Sequence, residues 1–129
     1  MAHAKARMRA LSERPRFRIA DELEIHPERL IVARGDEEIK LQLRTMEALV
    51  VLAENCGETV AKERLMISVW RTCIYDTCLV SKTISRLRKY IDDDARNPRF
   101  IETIHKIGFR MIAPVTWPEH DRRFTTSNG

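Results

Sequence analysis

The apolar pattern of residues 77–91 constrains the fold more than any other feature of the sequence. Four apolar side chains recur there at the spacing of one helical stripe: Val80, Ile84, Leu87 and Ile91. The opposite face carries basic and small polar side chains and no acid: Cys78, Lys82, Ser85, Arg86 and Lys89, flanked by Ser81 and Arg88. The pattern predicts an amphipathic helix with one buried stripe and one basic, solvent-facing side. Asp76 or Thr77 is expected to cap its first turn.

Two further helices are predicted before this one. Residues 46–53 repeat the helical spacing with Met46, Leu49, Val50 and Ala53. Gly57 is expected as the residue just beyond that helix, because glycine tolerates a positive φ. Residues 62–70 form a second short helix in this interpretation, with an apolar stripe of Leu65, Met66, Val69 and Trp70.

Short β-prone stretches lie on both sides of the helices. On the amino-terminal side they are residues 17–20, 23–25, 29–32 and 39–41, with turn signals at Pro27 and at residues 34–36. They predict a small antiparallel sheet. On the carboxyl-terminal side, residues 100–101 and 109–112 flank a turn at residues 105–108, which predicts a β-hairpin with a basic tip. The expected fold class is therefore α+β.

The length of 129 residues fits one domain with its own apolar core. Residues 1–15 are predicted to be a flexible basic arm, and residues 118–129 a disordered polar tail. The longest apolar run, residues 48–53, is far shorter than the roughly 18 residues that a membrane span needs. The net charge of +4 favours a polyanionic partner only weakly, so the position of the charges matters more.

The sequence contains no convincing pattern for a catalytic site, a cofactor site or a metal site. The three cysteines, Cys56, Cys73 and Cys78, are too few and too sparse for a disulfide framework, and this usage fits a reducing cytosol. Residues 92–94 are consecutive aspartates, which rarely converge on one cation. His105 with a serine of the basic helix lacks an oriented third group for hydrolysis. We expect no enzymatic activity, no cofactor and no bound metal.

A basic helix with one packed face suits the major groove of DNA, which admits a single α-helix between two rows of phosphates. Arg86 is the candidate for base reading, since a guanidinium donates two hydrogen bonds to guanine. Ser81, Lys82 and Ser85 are candidates for contacts to base edges or phosphates, and Arg88 and Lys89 for contacts to backbone phosphates. The hairpin tip, His105 and Lys106, is expected to reach the adjacent minor groove.

Two alternatives remain open at this point. The basic helix is an ordinary solvated surface helix in one of them. In the other, the domain is a protein-interaction adaptor that uses its exposed helix or its acidic residues 21–38 to bind another regulator or RNA polymerase. The absence of acids from the exposed face of residues 77–91 favours DNA over the adaptor.

Several motifs, taken together, resemble one family of DNA-binding domains. They are LMISVW at residues 65–70, VSKTISRLRK at 80–89, NPRFI at 97–101 and TIHKIGFRM at 103–111. This combination resembles the OmpR/PhoB-type winged-helix effector domain over residues 16–117, and the ending IAPVTW at residues 112–117 is most similar to its ToxR/CadC branch. The resemblance implies a winged helix-turn-helix with an amino-terminal sheet, three helices and a carboxyl-terminal hairpin wing.

The resemblance also implies roles for individual residues. Trp70 and Thr103 match phosphate-contacting positions, Arg86 matches a base-reading arginine, and His105 matches a position in the wing. Phe109 departs from the tyrosine of many members, Ala61 from their serine helix cap, and Cys78 and Ser81 from their polar or charged residues.

The implied function is a bacterial, sequence-specific regulator of transcription that binds double-stranded DNA. RNA polymerase and a second copy on tandem half-sites are the further partners considered. The expected location is the cytoplasm, either as a stand-alone protein or as the cytoplasmic part of an inner-membrane regulator.

Overall fold

The computed structural model describes residues 11–72 and 76–118. The amino-terminal part contains a short 3-10 helix, Leu11–Glu13, and then the strands β1 (Phe17–Ile19), β2 (Leu23–His26), β3 (Ile31–Arg34) and β4 (Glu37–Lys40). The helical part contains α1 (Leu43–Glu54), strand β5 (Thr59–Ala61), helix α2 (Lys62–Leu65, continued by a π-helical turn at Met66–Trp70) and α3 (Thr77–Ile91). Strands β6 (Ile101–Ile104), β7 (Gly108–Met111) and β8 (Val115–Thr116) follow. The α+β class expected from the sequence is confirmed.

The strands form two antiparallel sheets. The five-stranded sheet has the order β4-β3-β2-β1-β8, and the three-stranded sheet has the order β5-β7-β6. In the larger sheet Phe17 pairs with Ile25 and Ile25 with Val32, so these side chains share the face that packs on the helices. Arg18 and Glu24 pair one position along and lie on the opposite face.

The apolar core lies between the larger sheet and the helices. Residues 45–53 of α1 are all buried, so this helix is the centre of the domain. Val80, Ile84, Leu87 and Ile91 of α3 are each at most 1% exposed and pack into the same cluster. The predicted stripe of α3 is therefore buried as its spacing required.

Residues 11–15, which the sequence analysis assigned to the flexible arm, contact the rest of the domain in the structure. Leu11 is 7% exposed and belongs to the core, and the Arg14 guanidinium pairs with the Glu54 carboxylate at the end of α1. The basic composition of the arm gave no sign of this contact. One buried apolar side chain and one ion pair are enough to hold so short a segment against the domain. The rest of the predicted arm, the tail from residue 119 onward and Cys73 lie outside the described residues.

Other differences are local. Residues 27–29 form a 3-10 helix that ends at Leu30 in a left-handed conformation, so β3 begins two residues later than predicted. Gly57 has the expected positive φ of 86°, but α1 already ends at Glu54 with Asn55 as its cap, and the Gly57 amide donates to Met111 O. Strands β5 and β8 were not predicted, because each is very short and exists through its pairing with β7 or β1.

No helix in residues 11–72 and 76–118 is both long enough and apolar enough to span a membrane.

Candidate nucleic-acid interface

Helix α3 is flanked by an acidic residue at each end, Asp76 and Asp92. The Asp76 carboxylate accepts a hydrogen bond from the Leu79 amide at 3.3 Å and so caps the first turn, as expected. Asp92 ends the helix in a left-handed conformation, with φ of 60°. Arg34 of the larger sheet donates to Ile91 O at 2.6 Å, which satisfies one carbonyl of the last turn.

The outward side of α3 is basic. We call Lys82, Ser85, Arg86 and Lys89 the basic face; all four are exposed, as is Cys78, whereas Ser81 is half-buried. Within the described residues, no hydrogen bond or ion pair engages a side chain of the basic face. Its cations are therefore available to an external anion.

Arg88 lies one helical position from this face, but its side chain is turned inward. It is 7% exposed, and its Nη2 atom donates to Ile101 O and to Thr103 Oγ1, both at 2.8 Å. Its guanidinium carbon lies 5.8 Å from the centre of the Phe109 ring. Burial lowers the pKa of the Arg88 guanidinium, and the nearby Asp93 carboxylate opposes that change.

The sequence analysis placed Arg88 on the flank of the basic face as a candidate for phosphate contacts, whereas the structure places its guanidinium inside the protein, bonded to β6. The sequence assigned Arg88 to the flank of the basic face, and the helix does place it there. A flanking arginine is long enough to reach inward, however, and strand β6 offers its guanidinium two oxygen acceptors.

Asp93 makes the reciprocal connection from the helix end to the wing. Its carboxylate accepts hydrogen bonds from the backbone amides of Arg99, Phe100 and Ile101, at 2.7, 3.3 and 2.9 Å. We call Arg88, Asp93, Ile101 and Thr103 the junction, since they join α3 to β6. The acidic run at residues 92–94 therefore contributes an anchor for the first wing strand.

The wing is the hairpin of β6 and β7. Its turn is closed by the Ile107 amide, which donates to Ile104 O at 2.9 Å, and Lys106 has a φ of 65°. His105 and Lys106 are exposed at the tip, and Thr103 is exposed on β6. Glu102 of the wing is paired with Arg110, which offsets the one acid of the hairpin.

The base of the wing is held close to α2. A β-carbon on Gly108 would lie 2.0 Å from Val60 O, so only glycine allows β5 and β7 to approach this closely. Ala61 lacks a capping side chain at the start of α2, and the Lys62 amide there donates to Ile107 O at 3.1 Å. A wing carbonyl thus satisfies the first free amide of α2, although a serine cap would accept from the second or third amide instead.

Trp70 is half-buried at the end of α2, next to a charged group that the sequence analysis missed. The buried Glu47 carboxylate lies 2.7 Å from Arg44 Nη1 and 3.9 Å from Arg71 Nη2. The two arginines remain about half exposed around it, with 41% and 51% of their side-chain surfaces accessible. The i, i+3 spacing of Arg44 and Glu47 was a visible signal, but the approach of Arg71 required the fold.

The structure brings the predicted residues together in three groups. Ser81 and the basic face share one helix, and Thr103 joins that helix through Arg88. His105 and Lys106 lie at the wing tip, and Trp70 lies at the end of α2. Whether each of them contacts DNA stays a prediction.

Comparison with known proteins identifies a family and several individual relatives. The sequence profile of the family described as "Transcriptional regulatory protein, C terminal" matches residues 36–111. The transcriptional activator CadC of Escherichia coli strain K12 is 32% identical over 87 residues, which are 67% of this chain and 17% of the activator. The chain therefore spans only a small part of that relative.

Solved structures match at similar identity. The DNA-binding domain of E. coli CadC is 30% identical, with a TM-score of 0.71 and coverage of 81% of this chain and 97% of that domain. The Klebsiella pneumoniae RstA DNA-binding domain, solved in complex with the RstA box, is also 30% identical, with a TM-score of 0.64 and coverage of 70% and 91%.

Proposed function

This chain belongs to the family of transcriptional regulatory protein C-terminal domains, the OmpR/PhoB-type winged helices, and from that premise we propose that it is a sequence-specific DNA-binding regulator of transcription. The winged helix-turn-helix fold that the sequence analysis expected is confirmed by the solved relatives. Its proposed partner is double-stranded DNA, and its proposed location is therefore the bacterial cytoplasm.

The basic face of α3 is the observation that carries this proposal. Its lysines and arginine are exposed and engage no acid in residues 11–72 and 76–118, while the opposite stripe of the helix is buried. A helix packed in this way exposes only its basic face, and that face carries no carboxylate that phosphates would repel. The same geometry suits insertion into a major groove.

Each group of residues has a distinct proposed task. Arg86 reads a guanine edge, because a guanidinium matches its two acceptors, and Ser81, Lys82 and Ser85 contact neighbouring base edges or phosphates. Lys89, Trp70 and Thr103 contact backbone phosphates, which supply most of the affinity. His105 and Lys106 enter the adjacent minor groove.

Three exposed acids within residues 21–38, the surface considered for the adaptor alternative, already have basic partners. Glu28 is paired with Arg16, Glu38 with Arg29 and Glu22 with Arg99. Pairing weakens the attraction of these three acids for a basic protein partner, whereas the exposed Asp36 and Glu37 engage no ion pair within the described residues.

Selection of duplexes from a random library tests the proposal. We expect the purified chain to enrich one motif, and we expect the Arg86→Ala variant to lose enrichment at one or two base pairs within it. Lys89→Ala is the matched control, since it should weaken binding to all sequences and keep the motif. Binding that enriches no motif and disappears at moderate salt would contradict the proposal.

The selected motif also tests self-association and polymerase contact. Two half-sites at a fixed spacing would support pairing of two copies on tandem sites, as considered above. Transcription in vitro from a promoter that carries the motif, with and without the chain, would test an effect on RNA polymerase.

A further inference from the structure

Arg88 and Thr103 form a contact between the recognition helix and the wing. The Arg88 guanidinium is buried, whereas the Thr103 side chain that it reaches is exposed on β6. Arg88 Nη2 donates to Thr103 Oγ1 at 2.8 Å. Within residues 11–72 and 76–118, no other hydrogen bond engages the Thr103 hydroxyl, so the hydrogen of that hydroxyl has no acceptor among these residues.

We propose that Arg88 is a positioning residue for DNA binding, which orients the Thr103 hydroxyl so that its hydrogen points to a backbone phosphate. This inference rests on the proposed function and assigns to Arg88 a task that acts through Thr103. Arg88 itself stays inside the protein when DNA is bound.

The chemistry of the hydroxyl supports the direction of this contact. A threonine hydroxyl has one hydrogen to donate and two lone pairs to accept with. Arg88 has no acceptor atom, so it can only occupy a lone pair, and the hydroxyl hydrogen must point elsewhere. A positive donor also polarises the O–H bond, which strengthens the hydrogen bond that the hydroxyl donates to an anion.

The junction makes this orientation rigid before any DNA arrives. The same Nη2 atom is held by Ile101 O at 2.8 Å, and the guanidinium lies against the Phe109 ring. Asp93 holds the beginning of β6 through three backbone amides. The Thr103 hydroxyl is therefore fixed relative to the basic face, so the wing and α3 meet the DNA backbone in one register. Pre-ordering of this kind reduces the entropy lost on binding.

A double-mutant cycle in DNA affinity tests the inference. The variants are Arg88→Met, which keeps an apolar stem of similar length, and Thr103→Val, which keeps a β-branched strand residue without the hydroxyl. Each is measured alone and combined, on the selected duplex and on a random duplex, at several salt concentrations. Thr103→Ser serves as the matched control, because it retains the hydroxyl.

We expect Thr103→Val to weaken binding to both duplexes roughly tenfold, as for loss of one charge-assisted hydrogen bond, and Thr103→Ser to change it little. In the Arg88→Met background, we expect Thr103→Val to weaken binding less than about twofold, because the hydroxyl is no longer oriented. The salt dependence of binding should be the same for Arg88→Met and for the double variant.

Two results would overturn the inference. If the fold losses in DNA affinity of the two single variants multiply in the double variant, Arg88 acts independently of Thr103. If Arg88→Met lowers the salt dependence in the Thr103→Val background, Arg88 contacts a phosphate directly. Should Arg88→Met fail to fold, the same cycle is run with Arg88→Leu, which also removes the charge and every donor, and the same criteria apply.

Failure of the inference is distinguishable from failure of the proposed function. If the chain selects a motif but the affinity losses of Arg88→Met and Thr103→Val multiply, it is a DNA-binding regulator without this positioning contact. A chain that selects no motif contradicts both.

Discussion

The basic face and the junction both involve helix α3, which contributes Lys82, Ser85, Arg86 and Lys89 to the first and Arg88 to the second, but their cations differ in exposure and in bonding. Lys82, Arg86 and Lys89 are exposed and engage no partner within the described residues, whereas Arg88 is buried and bonded to β6. The comparison teaches that a single helix carries two classes of cation. Those of the basic face are the ones that contact DNA in our proposal, while the cation of the junction joins α3 to β6.

The largest expected effect concerns the base of the wing, which the junction depends on. Gly108→Ala places a β-carbon 2.0 Å from Val60 O and 2.9 Å from the Ala61 Cα, and both are backbone atoms that cannot move aside. We expect the free energy of unfolding to fall by about 3 kcal/mol, as for overpacking. Urea unfolding followed by circular dichroism measures it.

Gly35→Ala is the matched control for this substitution. Gly35 has a φ of 60° and its added β-carbon meets nothing within 4 Å, so only the backbone strain of about 1 kcal/mol is expected. Equal losses for the two variants would show that the close approach of β5 and β7 is unimportant.

The next effect breaks the junction at its acidic side. Asp93→Ala removes the acceptor of the Arg99, Phe100 and Ile101 amides. We expect the free energy of unfolding to fall by about 2–3 kcal/mol, because amides are left without partners. Asp94→Ala removes a single exposed contact, the hydrogen bond that its carboxylate accepts from the Arg96 amide at 3.0 Å, and should lower it by no more than about 1 kcal/mol. Thermal unfolding compares the two variants, and similar midpoints would show that the Asp93 contacts of the junction do not stabilise the fold.

A smaller effect sharpens the other side of the comparison. Lys89→Ala should weaken binding to specific and random duplexes alike by about 1 kcal/mol and lower the salt slope by about 1, as for one lost phosphate contact. Its unfolding free energy should stay within about 0.5 kcal/mol of the parent, since the side chain is exposed. Fluorescence anisotropy at several salt concentrations checks the binding, and a large loss of stability would mean that the basic face also holds the fold.

The smallest effect concerns the wing tip. Lys106 has a φ of 65°, which glycine adopts without strain. Lys106→Gly should therefore raise the free energy of unfolding by about 0.5–1 kcal/mol, while DNA affinity falls through loss of the charge. Lys106→Ala removes the charge and keeps the strain, so it separates the two effects in the same unfolding and binding assays. A stabilised Lys106→Ala would show that charge, and not backbone strain, governs the tip.

Local periodicity was enough to predict the elements that carry their own pattern. The bounds of α3 and its buried stripe follow from the spacing of Val80, Ile84, Leu87 and Ile91, because a helix with one apolar stripe has only one way to bury it. A cap at Asp76 or Thr77 was predicted from the residue types before the stripe, and the structure shows Asp76 in that role; the hairpin of β6 and β7 was predicted from two β-prone stretches around a turn. The motif combination then indicated the winged-helix family, which the comparisons confirm.

Contacts between distant parts of the chain required the tertiary structure. Sequence spacing placed Arg88 beside the basic face, but a strand fifteen residues away decided that its guanidinium turns inward. Leu11 docks on the core, and β5 and β8 exist only because β7 and β1 pair with them. A long side chain or a short strand has little preference of its own, so its position depends on which partner the fold brings within reach.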